Sequence, residues 1–365
     1  METGDEMMKN IKPSMLRGRL LAGVFGMALC LSAGPATAQD VRWTMATYSG
    51  GHWLDYGVTN FVRLVDEMTD GRVKIDISQP GTMGSALKVT ETVQNGITQV
   101  GHNWPGYDWG VDTAGAPFGG WAGGLTPEEQ LLWMYKAGGA EMLAEWRLEK
   151  FDVVSFPCAV AETEVFLHSH KPVRTLEDFK GLKIRTAGAW ADIAAGLGAS
   201  TVVLGGSEVF SALERHVVDA VEWGGPALNV STGFRTISKY IVVPGIHQPS
   251  SLQECMFNKD AWAQLSPHDQ NQIKLAAELN AFDTFLQYGD EDVDGWNTLT
   301  EGDNEIVTLD PEFIEAARKA SYEWADGKAA ENPWFKRVYD SQRAFQKRYS
   351  RWSEFRIPIG AASVE

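Results

Sequence analysis

The chain has 365 residues, with 48 acidic against 32 basic side chains and a net charge of −16. A surface of that sign repels nucleic acid and anionic lipid, so neither is a partner. The length suits two cores, and past the first 38 residues no apolar run is long enough to cross a bilayer.

The N-terminal stretch gives the compartment. Lys9, Lys12, Arg17 and Arg19 precede an uncharged run from Leu20 to Ser32, and Ala36-Thr37-Ala38 follows. This order predicts a secretory signal peptide over residues 1–38 and a periplasmic mature chain. Cys158 and Cys255 survive cleavage, and their spacing matches no zinc pattern. They read as two small buried side chains, with a disulfide between them left open.

The mature chain opens with an alternating strand at Val41–Ala46, then a helix-spaced set at Leu54, Val58, Phe61, Val62 and Val65. Val73–Ile77 alternates again, Met83–Asn95 reads as a helix, and Val100 begins a third strand. The rhythm returns later with strands at Val153–Phe156, Gly181–Arg185, Thr201–Val203 and Val217–Trp223. Helices fall between them, one capped by Thr175, one over Trp190–Leu197 and one over Val209–Glu214. From Ser266 the tail is mostly helical. Its last apolar groups, Phe345, Tyr349, Trp352 and Phe355, keep helical spacing and predict packing on the body or on a second subunit. Strands alternating with helices indicate an α/β protein.

Several stretches resemble one family, the DctP-type solute-binding proteins of tripartite ATP-independent periplasmic (TRAP) transporters. They are Trp43–Thr47, Lys171-Pro172-Val173 with Leu176–Arg185, Val217–Glu222, and Phe257–Trp262, in the family's order across nearly the whole mature chain. The resemblance implies a two-domain, type II-like periplasmic binding protein fold with a hinge, a cleft between domains and a long C-terminal helical region. It implies domain I at 39–161 plus 249–288, and domain II at 162–248 plus 289–365 with a C-terminal helix suited to a homodimer. Membrane permease subunits are the implied partners.

Within the family the chain is most similar to the branch that binds 2-oxo and 2-hydroxy acids. Pro117-Phe118-Gly119, Thr126–Gln130 with Leu132–Tyr135, Glu222-Trp223 with Gly225-Pro226, and Pro244-Gly245 ahead of Gln248 carry that likeness. The branch implies a sodium or calcium ion that bridges ligand and protein, held here by Glu164, Glu222, the Trp223 carbonyl and Gln248. The branch pattern has Gln where Glu164 stands and Glu where Gln248 stands, so the extra carboxylate has moved within the shell. Oxygen ligands suit sodium or calcium, and no Cys or His joins the set to favour zinc.

The residue types agree with capture of a small carboxylate. Arg185 closes a short apolar strand, where its guanidinium fork can meet a carboxylate two bonds at a time. Glu222 ends an apolar run and so needs a partner. Glu164 stands near the presumed crossing between domains. Asn103 and Tyr107 follow the third strand, where cleft loops lie in α/β sheets, and are expected to bond the ligand. Trp104, Trp109, Trp121 and Trp223 are candidates for the cleft wall. Three readings compete with this one: a binder of an aromatic acid or dicarboxylate without metal, a sensor on the same fold, and an exported enzyme. No Gly-x-Ser-x-Gly, His-Glu-x-x-His or Cys/His constellation is present, which disfavours the enzyme.

Overall fold

A computed structural model describes residues 40–356; the expected signal peptide lies outside the described residues. The chain runs β1 (Val41–Thr47), α1 (Thr59–Met68), β2 (Val73–Ile77), α2 (Val89–Gln94), β3 (Val100–Asn103), α3 (Gly115–Gly119), α4 (Pro127–Lys136), α5 (Gly139–Phe151) and β4 (Val153–Ala161). It continues with β5 (Leu167–Ser169), α6 (Leu176–Phe179), β6 (Lys183–Arg185), α7 (Gly188–Gly196), β7 (Ser200–Val202), α8 (Gly206–Glu214), β8 (Ala220–Val221), α9 (Pro226–Thr232) and β9 (Tyr240–Val243). The last elements are β10 (Ser251–Asn258), α10 (Lys259–Ala263), α11 (Pro267–Thr300), β11 (Glu305–Thr308), α12 (Pro311–Glu331) and α13 (Pro333–Arg356).

Two mixed sheets result. One has the order β2-β1-β3-β10-β4, with β10 antiparallel to both neighbours. The other has the order β11-β9-β5-β8-β6-β7, with β6 parallel to β7 and β8. The α/β class expected from the sequence is what the chain adopts. Three connections join the sheets: the long one through α10 and α11 from β10 to β11, and two short crossings, Ala161 to Leu167 and Val243 to Ser251. The two short crossings run together: the Glu164 amide donates to the Gln248 carbonyl at 3.2 Å. Gly245 permits this approach, since a Cβ there would fall 1.7 Å from the Glu164 carbonyl oxygen.

Local chemistry explains most element ends. Thr126 and Thr175 cap α4 and α6 with reciprocal bonds to Glu129 and Asp178. Ser266 accepts from the Asp269 amide to start the 34-residue α11, which packs on α1, α9 and β4 and so touches both sheets' surroundings. α13 lies against α3, α4 and α5.

Three expectations change. The strand read over Val217–Trp223 shrinks to Ala220–Val221, because α8 closes through His216 at φ 54° and the Val217 amide bonds back to Ala212. The helix read from Met83 begins in earnest only at Val89, after Gly84 at φ 133°. Cys158 and Cys255 form a disulfide between neighbouring strands, with Cα atoms 5.4 Å apart and a sequence separation of 97.

Candidate functional site

Strand ends converge on one cleft. Tyr48 follows β1, Trp104 and Tyr107 follow β3, Arg185 ends β6, and Glu222 and Trp223 follow β8. The two crossings add Glu164, His247 and Gln248. The register makes this inevitable: β6 and β8 run parallel with Arg185 beside Val221, and the Glu222 amide donates to the Arg185 carbonyl. Side chains at the carboxyl ends of parallel strands open into the crevice beyond the sheet. The cavity they enclose is small, about 30 Å³.

Arg185 is buried, and much of its fork is engaged. Nη1 donates to the Glu222 carbonyl and to Glu222 Oε1, both at 3.0 Å. Nε and Nη2 donate to the Leu204 carbonyl at 3.2 and 2.9 Å. Four of the guanidinium's five N–H groups are thus accounted for, so the free two-bond fork expected from the sequence is not what the fold presents. The Trp223 ring covers the guanidinium, its centroid 5.0 Å from Cζ.

Sequence reasoning missed His247. Its Nε2 lies 3.2 Å from Glu164 and 3.6 Å from Glu222. The expectation that no histidine joins the set is therefore corrected: Glu164, Glu222 and His247 bring ligand atoms within 4.8 Å of one another. The only signal in the sequence was its position beside Gln248. Burial opposes a charge on this ring, but hydrogen bonds and attraction from both glutamates outweigh it and raise its pKa to about 9. Burial raises Glu164 to about 7, against the pull of His247. Glu222, also buried, is nonetheless held below the usual carboxylate range by Arg185 and His247. Burial raises Tyr107 and, further, Tyr48. With Glu164 ionised, two cations stand against two anions, a formally neutral cluster.

The other expected residues divide. Trp223, Tyr107 and Gln248 line the cleft, and Gln248 Nε2 donates to the Gly119 and Ser250 carbonyls. Asn103 is not among the lining residues. Its amide donates to Asp108 and Thr90 at 3.0 and 3.1 Å. Asp108 in turn meets Arg147 at 2.8 Å, and Arg147 pairs with Glu254 in full burial. Asn103 therefore pins the turn that carries Tyr107. Of the four tryptophans, Trp104 and Trp223 wall the cleft. Trp121 is buried against Tyr322, Trp324 and Tyr339 instead, and Trp109 is not a lining residue.

Comparison with known proteins agrees with this architecture. Residues 47–332 match the model of the DctP family, bacterial extracellular solute-binding protein, family 7. A monocarboxylate 2-oxoacid-binding periplasmic protein of Nostoc sp. is 30% identical over 323 residues, covering 86% of each chain. A TRAP periplasmic solute-binding protein of Pseudoalteromonas atlantica, solved with sodium and pyruvate, is 29% identical with a TM-score of 0.82, covering 87% of this chain and 97% of its own. One from Colwellia psychrerythraea, solved with calcium and pyruvate, is 26% identical with a TM-score of 0.82, covering 87% and 98%.

Proposed function

The chain belongs to the DctP family of TRAP-transporter solute-binding proteins, and from that premise we propose that it captures a 2-oxo or 2-hydroxy monocarboxylate in the periplasm and hands it to permease subunits. It is a binding protein of a transporter and not an enzyme. The observation that carries the substrate class is the buried charged cluster of Arg185, Glu164, Glu222 and His247 in a small cleft walled by Tyr107, Trp104 and Trp223. The two lobes, 40–161 with 249–288 and 162–248 with 289–331, close on the ligand about the paired crossings, while α13 stays packed on α3, α4 and α5 of the first lobe. The ligand's carboxylate takes the remaining Arg185 N–H and the Tyr107 hydroxyl.

The site also suits a hard cation. Glu164 and Glu222 offer carboxylate oxygens, and Trp223 and Gln248, whose carbonyl and side-chain oxygens would complete the shell, line the same cleft. Sodium or calcium would supply the positive charge that a ligand carboxylate needs in a cluster already neutral. Pyruvate with either ion in two relatives supports this reading. His247 between the two glutamates favours a second reading, in which the imidazolium does the cation's work and no metal is needed.

Thermal-shift titration of the mature protein separates them. Pyruvate, lactate, aromatic acids and dicarboxylates are each tested with sodium, calcium and chelator. A rise in melting temperature with 2-oxo or 2-hydroxy acids that chelator or ion exchange abolishes supports the bridged site. The same rise without regard to cations supports His247 alone. No rise with any monocarboxylate refutes the substrate class.

A further inference from the structure

Two spaces meet across two side chains. Beside the charged cavity lies an outer groove of about 290 Å³, walled by Gly50, Gly51, Pro80, Ser207 and Leu228. Tyr48 and Trp223 are the residues common to both linings. The chemistry changes across them. The inner wall carries Arg185, Glu164, Glu222 and His247, whereas the outer wall carries no charged side chain.

The Trp223 indole is held as a partition. Arg185 lies under one face. On another side the ring lies against Gly206 at the start of α8, where a Cβ would fall 2.5 Å from the six-membered ring's far carbon. Any larger residue at 206 would force the indole to move. Around the partition, Leu204, Val209 and Phe210 pack into the cluster that the ring joins.

We infer that Trp223 sets ligand length, confining this receptor to short acids and closing off a neutral groove that would otherwise take an extended tail. The inference rests on the proposed carboxylate site and adds its selectivity. A tail beyond the indole would meet glycine backbone, proline, leucine and hydroxyls. An apolar or hydroxylated chain fits there. A second carboxylate does not, because it would lose hydration with no cation to meet it.

Calorimetry on the mature chain tests this with pyruvate, 2-oxooctanoate and 2-oxoglutarate. Wild type should prefer pyruvate to 2-oxooctanoate by about tenfold or more, since a few unaccommodated methylenes suffice for that ratio. Trp223→Leu should move the ratio toward the longer acid by at least about tenfold, and Trp223→Phe should fall between. The ratio is the readout because losing the ring also weakens the cover over Arg185. Circular dichroism checks that each variant is folded. Adding Ser207→Trp to Trp223→Leu should refill the groove and remove the gain, while 2-oxoglutarate gains nothing from any variant. Equal wild-type affinity for the short and long acids, or an unchanged ratio in both folded variants, overturns the partition and leaves the carboxylate site standing. Wild type that fails to bind pyruvate overturns the carboxylate site itself, and the partition with it.

Discussion

Replacing Arg185 with methionine tests whether one side chain serves both the fold and the ligand. Its guanidinium makes two buried bonds to Glu222 and two partly buried ones to the Leu204 carbonyl. Breaking a buried pair by removing one partner costs about 3–5 kcal/mol, because the other charge stays buried. Here His247 remains 3.6 Å from Glu222, so the loss should sit near about 3 kcal/mol. That is a large share of a stability of about 5–15 kcal/mol. The ligand loses at least one charge-assisted bond, about 1.5–3 kcal/mol, or about 10- to 150-fold in affinity. Urea unfolding followed by circular dichroism reads the first quantity, and calorimetry with pyruvate reads the second. Pairing Arg185→Met with Glu222→Gln separates the two, since removing both charges should restore most of the stability and none of the affinity. Wild-type affinity in the double variant would refute the ligand role of Arg185. Unchanged stability in the single variant would refute the stated energetics of the buried pair.

Other outcomes follow from the same structure. Replacing both Cys158 and Cys255 with alanine should lower stability by about 3–5 kcal/mol, because the bridge closes a loop of 97 residues in the unfolded chain; denaturant midpoints of oxidised and variant protein check this. His168 is fully buried against Phe234 with neither ring nitrogen bonded, and burial lowers its pKa to about 3. The unfolded chain binds the proton near pH 6.5 and the folded one does not, so stability falls as pH drops through the window from 6.5 to 3. His168→Leu should therefore lose about 2 kcal/mol less than wild type between pH 7 and pH 5, read from urea melts at both values. Trp352 and Phe355 are exposed at the end of α13, the face on which the sequence expectation of a homodimer is tested. Ending the chain at Ser350 should convert a dimer to a monomer in light scattering, and a monomeric mass for the intact chain would contradict the contact.

Sequence pattern revealed the strands and helices whose signals are local. Val73–Ile77 alternates because one face is buried, and the Thr175–Asp178 capping box announces the start of α6. Long-range pairings were less legible. β10 is buried along nearly its whole length, so Ser251–Asn258 shows no alternation to read. The same holds for the site. Arg185 and Glu222 stand out because each charge terminates an apolar run. His247 has no such signature: its meaning comes from a crossing that Gly245 brings against Glu164, and that contact spans some eighty residues of chain. Asn103 misled for a related reason. Its place after β3 matches a cleft loop, but the acceptor that claims it, Asp108, is part of an ion network with Arg147 and Glu254 assembled from distant segments.

Charge balance ties the proposed ligand to the proposed cation. When Glu164 is ionised, Arg185 and His247 neutralise it and Glu222, so a buried monocarboxylate adds one uncompensated negative charge. A monovalent or divalent cation entering with it relieves that cost, and a dicarboxylate would double it. The two ligands must then help each other: whatever factor a cation adds to pyruvate affinity, pyruvate adds to the cation's. Glu164→Gln removes one anion and leaves the cluster with a net positive charge. In that variant pyruvate should bind with less dependence on sodium or calcium, because the ligand's own charge now completes the balance. Calorimetric titration of pyruvate with and without chelator, in wild type and Glu164→Gln, gives the coupling factor directly. An equal factor in both would mean that the cation acts through geometry and not through charge.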